Sequence, residues 1–245
     1  DILGNVRVGT TDMGAYEFQG SLPTILYVNQ AVTVSGDGTS WATAFKTLNE
    51  ALTATNYCSS VNQIWVAAGT YKPGTNRTDA FVMKNGVAIY GGFPNSGNPT
   101  LTERNWVSNV TILSGDINDD DVVSGSGSTL SITGNGENCY HVIYNNVNGL
   151  TATAILDGFT IKGGNANEED NDDNYGGGMY NHGTSPTVTH CIFSGNAAHY
   201  GAGMVNRSAG PRPFPTVNNC TFSNNLATHG GGMYNEGSTP TDRKS

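Results

Sequence analysis

Three glycine-rich blocks near the end of the chain are nearly the same: Tyr175-Gly-Gly-Gly-Met-Tyr-Asn181, Tyr200-Gly-Ala-Gly-Met-Val-Asn206 and His229-Gly-Gly-Gly-Met-Tyr-Asn235. Their methionines, Met179, Met204 and Met233, lie 25 and 29 residues apart. A second pair sits between the blocks: Val188-Thr-His-Cys-Ile-Phe193-Ser-Gly-Asn196 matches Val217-Asn-Asn-Cys-Thr-Phe222-Ser-Asn-Asn225 at a constant offset of 29. A unit of this length cannot bury its apolar face alone and must stack on copies of itself.

The type of unit follows by elimination. Adjacent glycines in a helix cost roughly 1 kcal/mol each, so helical repeats are excluded. The L-x-x-L-x-L ladder of leucine-rich repeats is missing, and no Asp follows the glycines as a calcium-binding nonapeptide requires. Short parallel strands separated by tight turns remain, with glycine at positions of positive φ or close backbone approach. Successive layers would then rise by about 4.8 Å. Equal positions would form columns: Asn181, Asn206 and Asn235, with amides bonding along the column; Met179, Met204 and Met233; Tyr175, Tyr200 and His229; Cys191 and Cys220 as a buried thiol column. The four extra residues of the longer step are expected to bulge as a loop over Arg207 to Phe214.

The upstream part reads as the start of the same stack. Short strands are expected at Ile25–Val28, Ile64–Tyr71 (strand, then turn), Phe81–Met83, Val87–Tyr90, Val110–Leu113, Tyr140–Tyr144 and 155–161. Trp41, Phe45, Leu48 and Leu52 fall on one helical face, which predicts a helix over Trp41 to Ala54, capped by Ser40. Such a helix can cover the apolar end of a stack and its unpaired strand edge.

Composition narrows the function. The chain has 33 glycines, 11 Lys plus Arg, and a net charge of −9. So acidic a chain is a poor partner for nucleic acid, which needs clustered Lys and Arg. No run approaches the ~18 apolar residues of a membrane span. Four cysteines are too few for a disulfide scaffold. Cys58 and Cys139 could pair, though spacing does not decide it.

Several segments carry a family resemblance: Gly-Thr-Ser-Trp-Ala-Thr-Ala-Phe (38–45), Ile-Trp-Val-Ala-Ala-Gly-Thr-Tyr-Lys-Pro (64–73), Tyr-Gly-Gly-Phe (90–93), Ile-Leu-Ser-Gly-Asp-Ile (112–117) and the glycine blocks. Together they resemble the pectate-lyase-like, right-handed parallel β-helix proteins of bacterial surfaces, and the repeats resemble those of polymorphic outer-membrane proteins. The resemblance implies an all-β, right-handed parallel β-helix with one N-terminal capping helix. It runs over 22–241, with a capping region at 22–73 and coils at 74–241. Asp1 to Gly20 is similar to the closing segment of such a domain. The chain is therefore expected to be an excised piece of a longer tandem protein, with 242–245 as a tail departing from the pattern.

Candidate chemistry is sparse. Asp116, Asn118 and Asp120 place oxygen ligands at alternate positions, like the opening of a calcium loop, against a plain reading as a solvated turn before a flexible Ser124-Gly-Ser-Gly-Ser128 stretch. Glu168, Glu169, Asp170, Asp172 and Asp173 form a second possible cation loop, or a solvated charge run. His182, His190, His199 and His229 occupy different columns, which does not suit a zinc centre. Trp41 and Trp65 read as core or cap residues, and Trp106 and Tyr175 as surface aromatics. Lys162 and Arg207 are the basic residues near an acidic loop, but no catalytic constellation is recognisable, so no catalytic residue is assigned.

The expectation is a non-catalytic extracellular module of a large secreted bacterial adhesin or stalk. Its partners would be neighbouring units of the same chain, surface glycans or other cells; it has no certain cofactor, calcium being the candidate. The alternative is a polysaccharide lyase or glycoside hydrolase acting on acidic polysaccharide. An exposed row of aromatics on one face would favour sugar contact over a plain stalk.

Overall fold

The computed structural model of the chain describes residues 23–168, 172–208 and 215–237. The Asp1 to Gly20 segment, the tail at 242–245 and most of the 207–214 loop lie outside the described residues.

The chain is mostly β, and its larger sheets are parallel. One repeat supplies the strands Thr187–Thr189, Ile192–Ser194, Ala197–Tyr200 and Met204–Arg207, each to a different sheet. The next supplies Thr216–Asn218, Thr221–Ser223, Leu226–His229 and Met233–Glu236 to the same four sheets in the same order. Each new strand pairs in parallel, and in register, with its counterpart. Upstream, Ile155–Asp157, Thr160–Lys162, Asn165–Ala166 and Met179–His182 precede them in those sheets.

The six-stranded sheet runs from Ile25–Val28 through Gln63–Ala67, Ala88–Phe93 and Ile155–Asp157 to Thr187–Thr189 and Thr216–Asn218. Along it runs a file of apolar side chains: Leu26, Ile64, Ile89, Leu156, Val188 and Val217. Met179 and Met204, Phe193 and Ile161 bury into the same cluster, with Met233 and Phe222 packed against it.

Two backbone requirements explain the glycines and their substitutes. The residue after Thr187–Thr189 must adopt positive φ, and the aligned turn positions Gly158, His190 and Asn219 do so at 80°, 49° and 50°. Glycine meets this without penalty, while asparagine and histidine tolerate it better than most residues. In the glycine blocks, a Cβ on Gly178 would collide with the carbonyl oxygen of Gly203, and one on Gly203 with that of Gly232. Adjacent repeats therefore approach at a separation that only glycine permits.

The helix is shorter than its apolar spacing predicts. It spans Leu48–Ala54 and is capped by Thr47, not Ser40. Thr47 and Glu50 form a capping box: the Thr47 N–H donates to Glu50 Oε2 at 2.8 Å, and the Glu50 N–H to Thr47 Oγ1 at 3.3 Å. Trp41 and Phe45 serve other purposes. The Phe45 N–H donates to the Tyr27 carbonyl at 2.9 Å, and the Asn29 N–H to the Phe45 carbonyl at 2.8 Å, extending the edge strand. Trp41 packs on Tyr27 and Phe93, its Nε1–H donating to the Pro99 carbonyl. The helix buries Leu48 and Ala51 against the cluster that holds Leu26 and Val28 on that edge strand.

Other boundaries also shift. The 64–71 segment holds two strands, Gln63–Ala67 and Gly69–Tyr71. Phe81 makes only an isolated bridge to Ile143, and the strand expected from Tyr140 begins at Ile143. The Ser124–Ser128 stretch is not simply loose: Val122–Ser124 pairs antiparallel with Ser131–Thr133. Cys58 and Cys139 are both free thiols, as are Cys191 and Cys220. Cys58 lies 3.1 Å from Ser60 Oγ, whereas Cys139 faces the Asn76 carbonyl, so they do not pair.

Candidate functional site: an aromatic face and an acidic neck

The four-stranded sheet aligns Ile143-Tyr144-Asn145-Asn146 with Met179-Tyr180-Asn181-His182, Met204-Val205-Asn206-Arg207 and Met233-Tyr234-Asn235-Glu236. Alternation along each strand sends the methionine and asparagine positions to one side and the tyrosine and charged positions to the other. On the first side, Asn145 Nδ2 donates to Asn181 Oδ1 (2.9 Å), Asn181 to Asn206 (3.0 Å) and Asn206 to Asn235 (2.8 Å). Asn145 and Asn181 are fully buried, so this ladder satisfies amides that water cannot reach.

The other side carries rings. Tyr144 stacks on Tyr180 with centroids 5.2 Å apart and planes within 10°. Beside this sheet, Tyr200 and His229, at the ends of strands of the three-stranded sheet, form with Tyr175 a second stack at 4.9 Å per step. Tyr234 tilts against Tyr200 at 5.3 Å. Tyr180 is buried, Tyr144, Tyr175, Tyr200 and Tyr234 are half-buried, and His229 is exposed.

Arg207 ties the face together. Its Nη1 donates to Asp172 Oδ1 at 2.8 Å and to the Tyr180 hydroxyl at 3.0 Å, its Nε donates to Glu236 at 2.7 Å, and the guanidinium lies 4.5 Å above the Tyr175 ring. Burial alone would lower its pKa, but Tyr180 and Glu236 outweigh it, so the cation is held even above the usual arginine range. Burial, then the hydrogen bond with Asp172, pushes the Tyr180 hydroxyl up. His141, which the sequence reading passed over, is buried beneath: its ring stacks on Tyr144 at 4.9 Å, and Nε2 lies 3.2 Å from Asp173 Oδ1.

The expected acidic loop is thus divided among protein partners. Asp172 meets Arg207, Asp173 meets His141, and Glu168 accepts from the Tyr140 hydroxyl at 2.6 Å. These three carboxylates do not converge on one point as a cation site needs; Glu169 and Asp170 lie outside the described residues.

The first acidic motif behaves differently. Asp116 and Asp120 are brought together with Glu137, each offering an oxygen within 4.8 Å of the others. Asn118 is exposed. Asp116 is buried and accepts the N–H groups of Asp120 and Asp121 at 3.2 and 3.4 Å. Burial, and the charges of Asp116 and Glu137, push the Asp121 carboxyl up to about 6 even though Asn138 hydrogen-bonds it. Glu137 lies far along the chain from the motif, so no local pattern announced it.

The remaining candidates do not gather into one site. Trp106 stacks on His190 at 4.4 Å, and Arg104 lies over Trp106 while bonding Asp157. His190 Nε2 lies 3.4 Å from Asn219 Nδ2, and His182 Nδ1 lies 2.9 Å from Asn146 Oδ1. Lys162 acts on Asp121 through its charge. Among the described residues, no helix is long and apolar enough to cross a membrane.

Comparison with protein-family models, with curated proteins and with solved structures finds no match to this chain.

Proposed function

We propose that this chain is a right-handed parallel β-helix, a pectate-lyase-like module of a large secreted bacterial adhesin or stalk, and that its aromatic face contacts carbohydrate without catalysis. Support for the fold reading comes from the recurrent register, in which successive repeats add one strand to each of the same four sheets. The single observation that carries the function is the row of partly open rings: Tyr144, Tyr175, Tyr200, His229 and Tyr234. Sugar rings pack their C–H faces on such planes, and the hydroxyl edges find polar groups in Asp172, Glu236 and Asn146 beside them. Rings already locked by stacking lose little freedom on binding, which favours affinity at modest area.

The alternative, a lyase or hydrolase of acidic polysaccharide, needs a group that can give up or take a proton. Arg207, the basic residue at this face, is stabilised as a cation by its neighbours and is a poor base. A glycan array tests the proposal. The intact chain is expected to retain at least one polysaccharide class, and Tyr200→Ala should weaken that binding by roughly 3- to 10-fold. An array without binding would leave the stalk reading alone, and unsaturated ultraviolet-absorbing products from acidic polysaccharide would favour the lyase.

A further inference from the structure

After Ser114 the chain leaves the five-stranded sheet, runs through the antiparallel pair and returns at Cys139. The two ends of this excursion touch: the Cys139 N–H donates to the Gly115 carbonyl at 2.9 Å. Gly115 in turn donates to the Lys162 carbonyl at 2.9 Å, so the neck rests directly on the neighbouring strand. Asp116 and Asp120 stand on the outgoing side of the neck, and Glu137 on the returning side.

We propose that this neck is a calcium site, in which Asp116, Asp120 and Glu137 ligate one Ca²⁺ and so clip the excursion to the sheet.

The carboxylates alone would not carry this, but the groups around them are unfinished. Asn138, next to Glu137, is fully buried and its Nδ2 donates to Asp121 Oδ2 at 2.8 Å, yet its Oδ1 has no hydrogen-bond partner. Asp121 Oδ1 and Glu137 Oε1 are likewise closed to solvent and without a partner. Buried oxygens are ordinarily paired, because leaving them bare forfeits their hydration. No described Lys, Arg or His forms an ion pair with Asp116, Asp120, Asp121 or Glu137. The nearest Lys contacts go elsewhere, Lys72 pairing with Asp119 at 2.8 Å, while Lys162 acts on Asp121 only through its field. A cation held by Asp116, Asp120 and Glu137 would give Glu137 the partner that its Oε1 lacks. The all-oxygen donor set selects a hard ion, and an irregular loop suits the flexible coordination of Ca²⁺ better than the strict octahedron of Mg²⁺.

Isothermal titration of the chelator-stripped chain with CaCl₂ and MgCl₂ tests the proposal, with thermal unfolding followed alongside. One Ca²⁺ is expected to bind, with a Kd no weaker than about 10⁻³ M, and more tightly than Mg²⁺. Glu137→Gln and Asp120→Asn, each checked for native circular dichroism, should weaken Ca²⁺ by ~10-fold or more, and Ca²⁺ should no longer raise their unfolding temperature. Asp119→Asn, which touches only the Lys72 pair, should bind as the parent does. Absence of Ca²⁺ binding by the parent up to about 10 mM overturns the proposal. So does unchanged binding in both ligand variants, which would put the ion elsewhere.

Discussion

Two files of side chains run across neighbouring sheets of this molecule and obey different rules. The six-stranded sheet carries Leu26, Ile64, Ile89, Leu156, Val188 and Val217, all apolar but varied. The four-stranded sheet carries Asn145, Asn181, Asn206 and Asn235, all the same residue. The difference is directional. An apolar column needs only volume and removal from water, which several residues supply. An amide column needs every member to donate to the next and accept from the one before, which only a side chain with both functions at one reach can do. A polar column therefore demands strict repetition, whereas an apolar column is free to vary.

The contrast breaks most sharply at Asn181. Asn181→Leu should leave Asn145 Nδ2 without its acceptor and Asn206 Oδ1 without its donor, both at buried sites. At ~1–3 kcal/mol for each orphaned group, the expected loss of stability is about 2–6 kcal/mol in urea unfolding. Replacing all four asparagines by Leu should cost less than a sum of single changes, because no half-bonded amide is left within the column, although the Met83 N–H loses its acceptor, Asn145 Oδ1. Equal or greater loss in the quadruple variant would show that the column's value lies elsewhere. Leu156→Ile, in the apolar file, should cost less than about 1.5 kcal/mol in the same measurement. A loss matching that of Asn181→Leu would erase the distinction.

The same distinction explains what could be read from the sequence. The Asn and Tyr/His columns and the glycine blocks were legible because hydrogen bonding, ring stacking and the near approach of Gly178 to Gly203 all demand particular residues at constant spacing, and the apolar Met column was legible because it travels with the glycine blocks. The apolar file upstream was legible only as scattered strands, since its members vary and the loops between them differ in length. The helix start was misjudged because Trp41 and Phe45 have helical spacing by coincidence, one packing on Tyr27 and the other bridging the edge strand. Glu137 and Asn138 were invisible as site residues: the contact that brings them to Asp116 is the closure of a long excursion, which no local motif encodes. His141 did leave a signal, the alternation of Tyr140-His141-Val142-Ile143-Tyr144, but a lone histidine in a strand pattern says nothing of the ring it will stack on.

The gentlest test compares one column at two depths. Cys191 and Cys220 occupy equivalent positions in successive repeats, but Cys191 is fully buried and Cys220 only half so. Burial and the neighbouring thiol hold Cys191 well above the ordinary thiol range. The hydrogen bond from Cys191 draws Cys220 below it. Cys139, buried near Asp79, is pushed up to about 11. Only the thiolate attacks an alkylating reagent, so in the native protein near pH 8 Cys220 should be modified well before Cys191 and Cys139. Mass spectrometry of iodoacetamide-treated protein at several times gives the order, and denaturant should make the cysteines react alike. Modification of Cys191 as fast as Cys220 would mean that the repeat holding Cys191 opens as readily as the one holding Cys220, and the two depths would no longer be distinct.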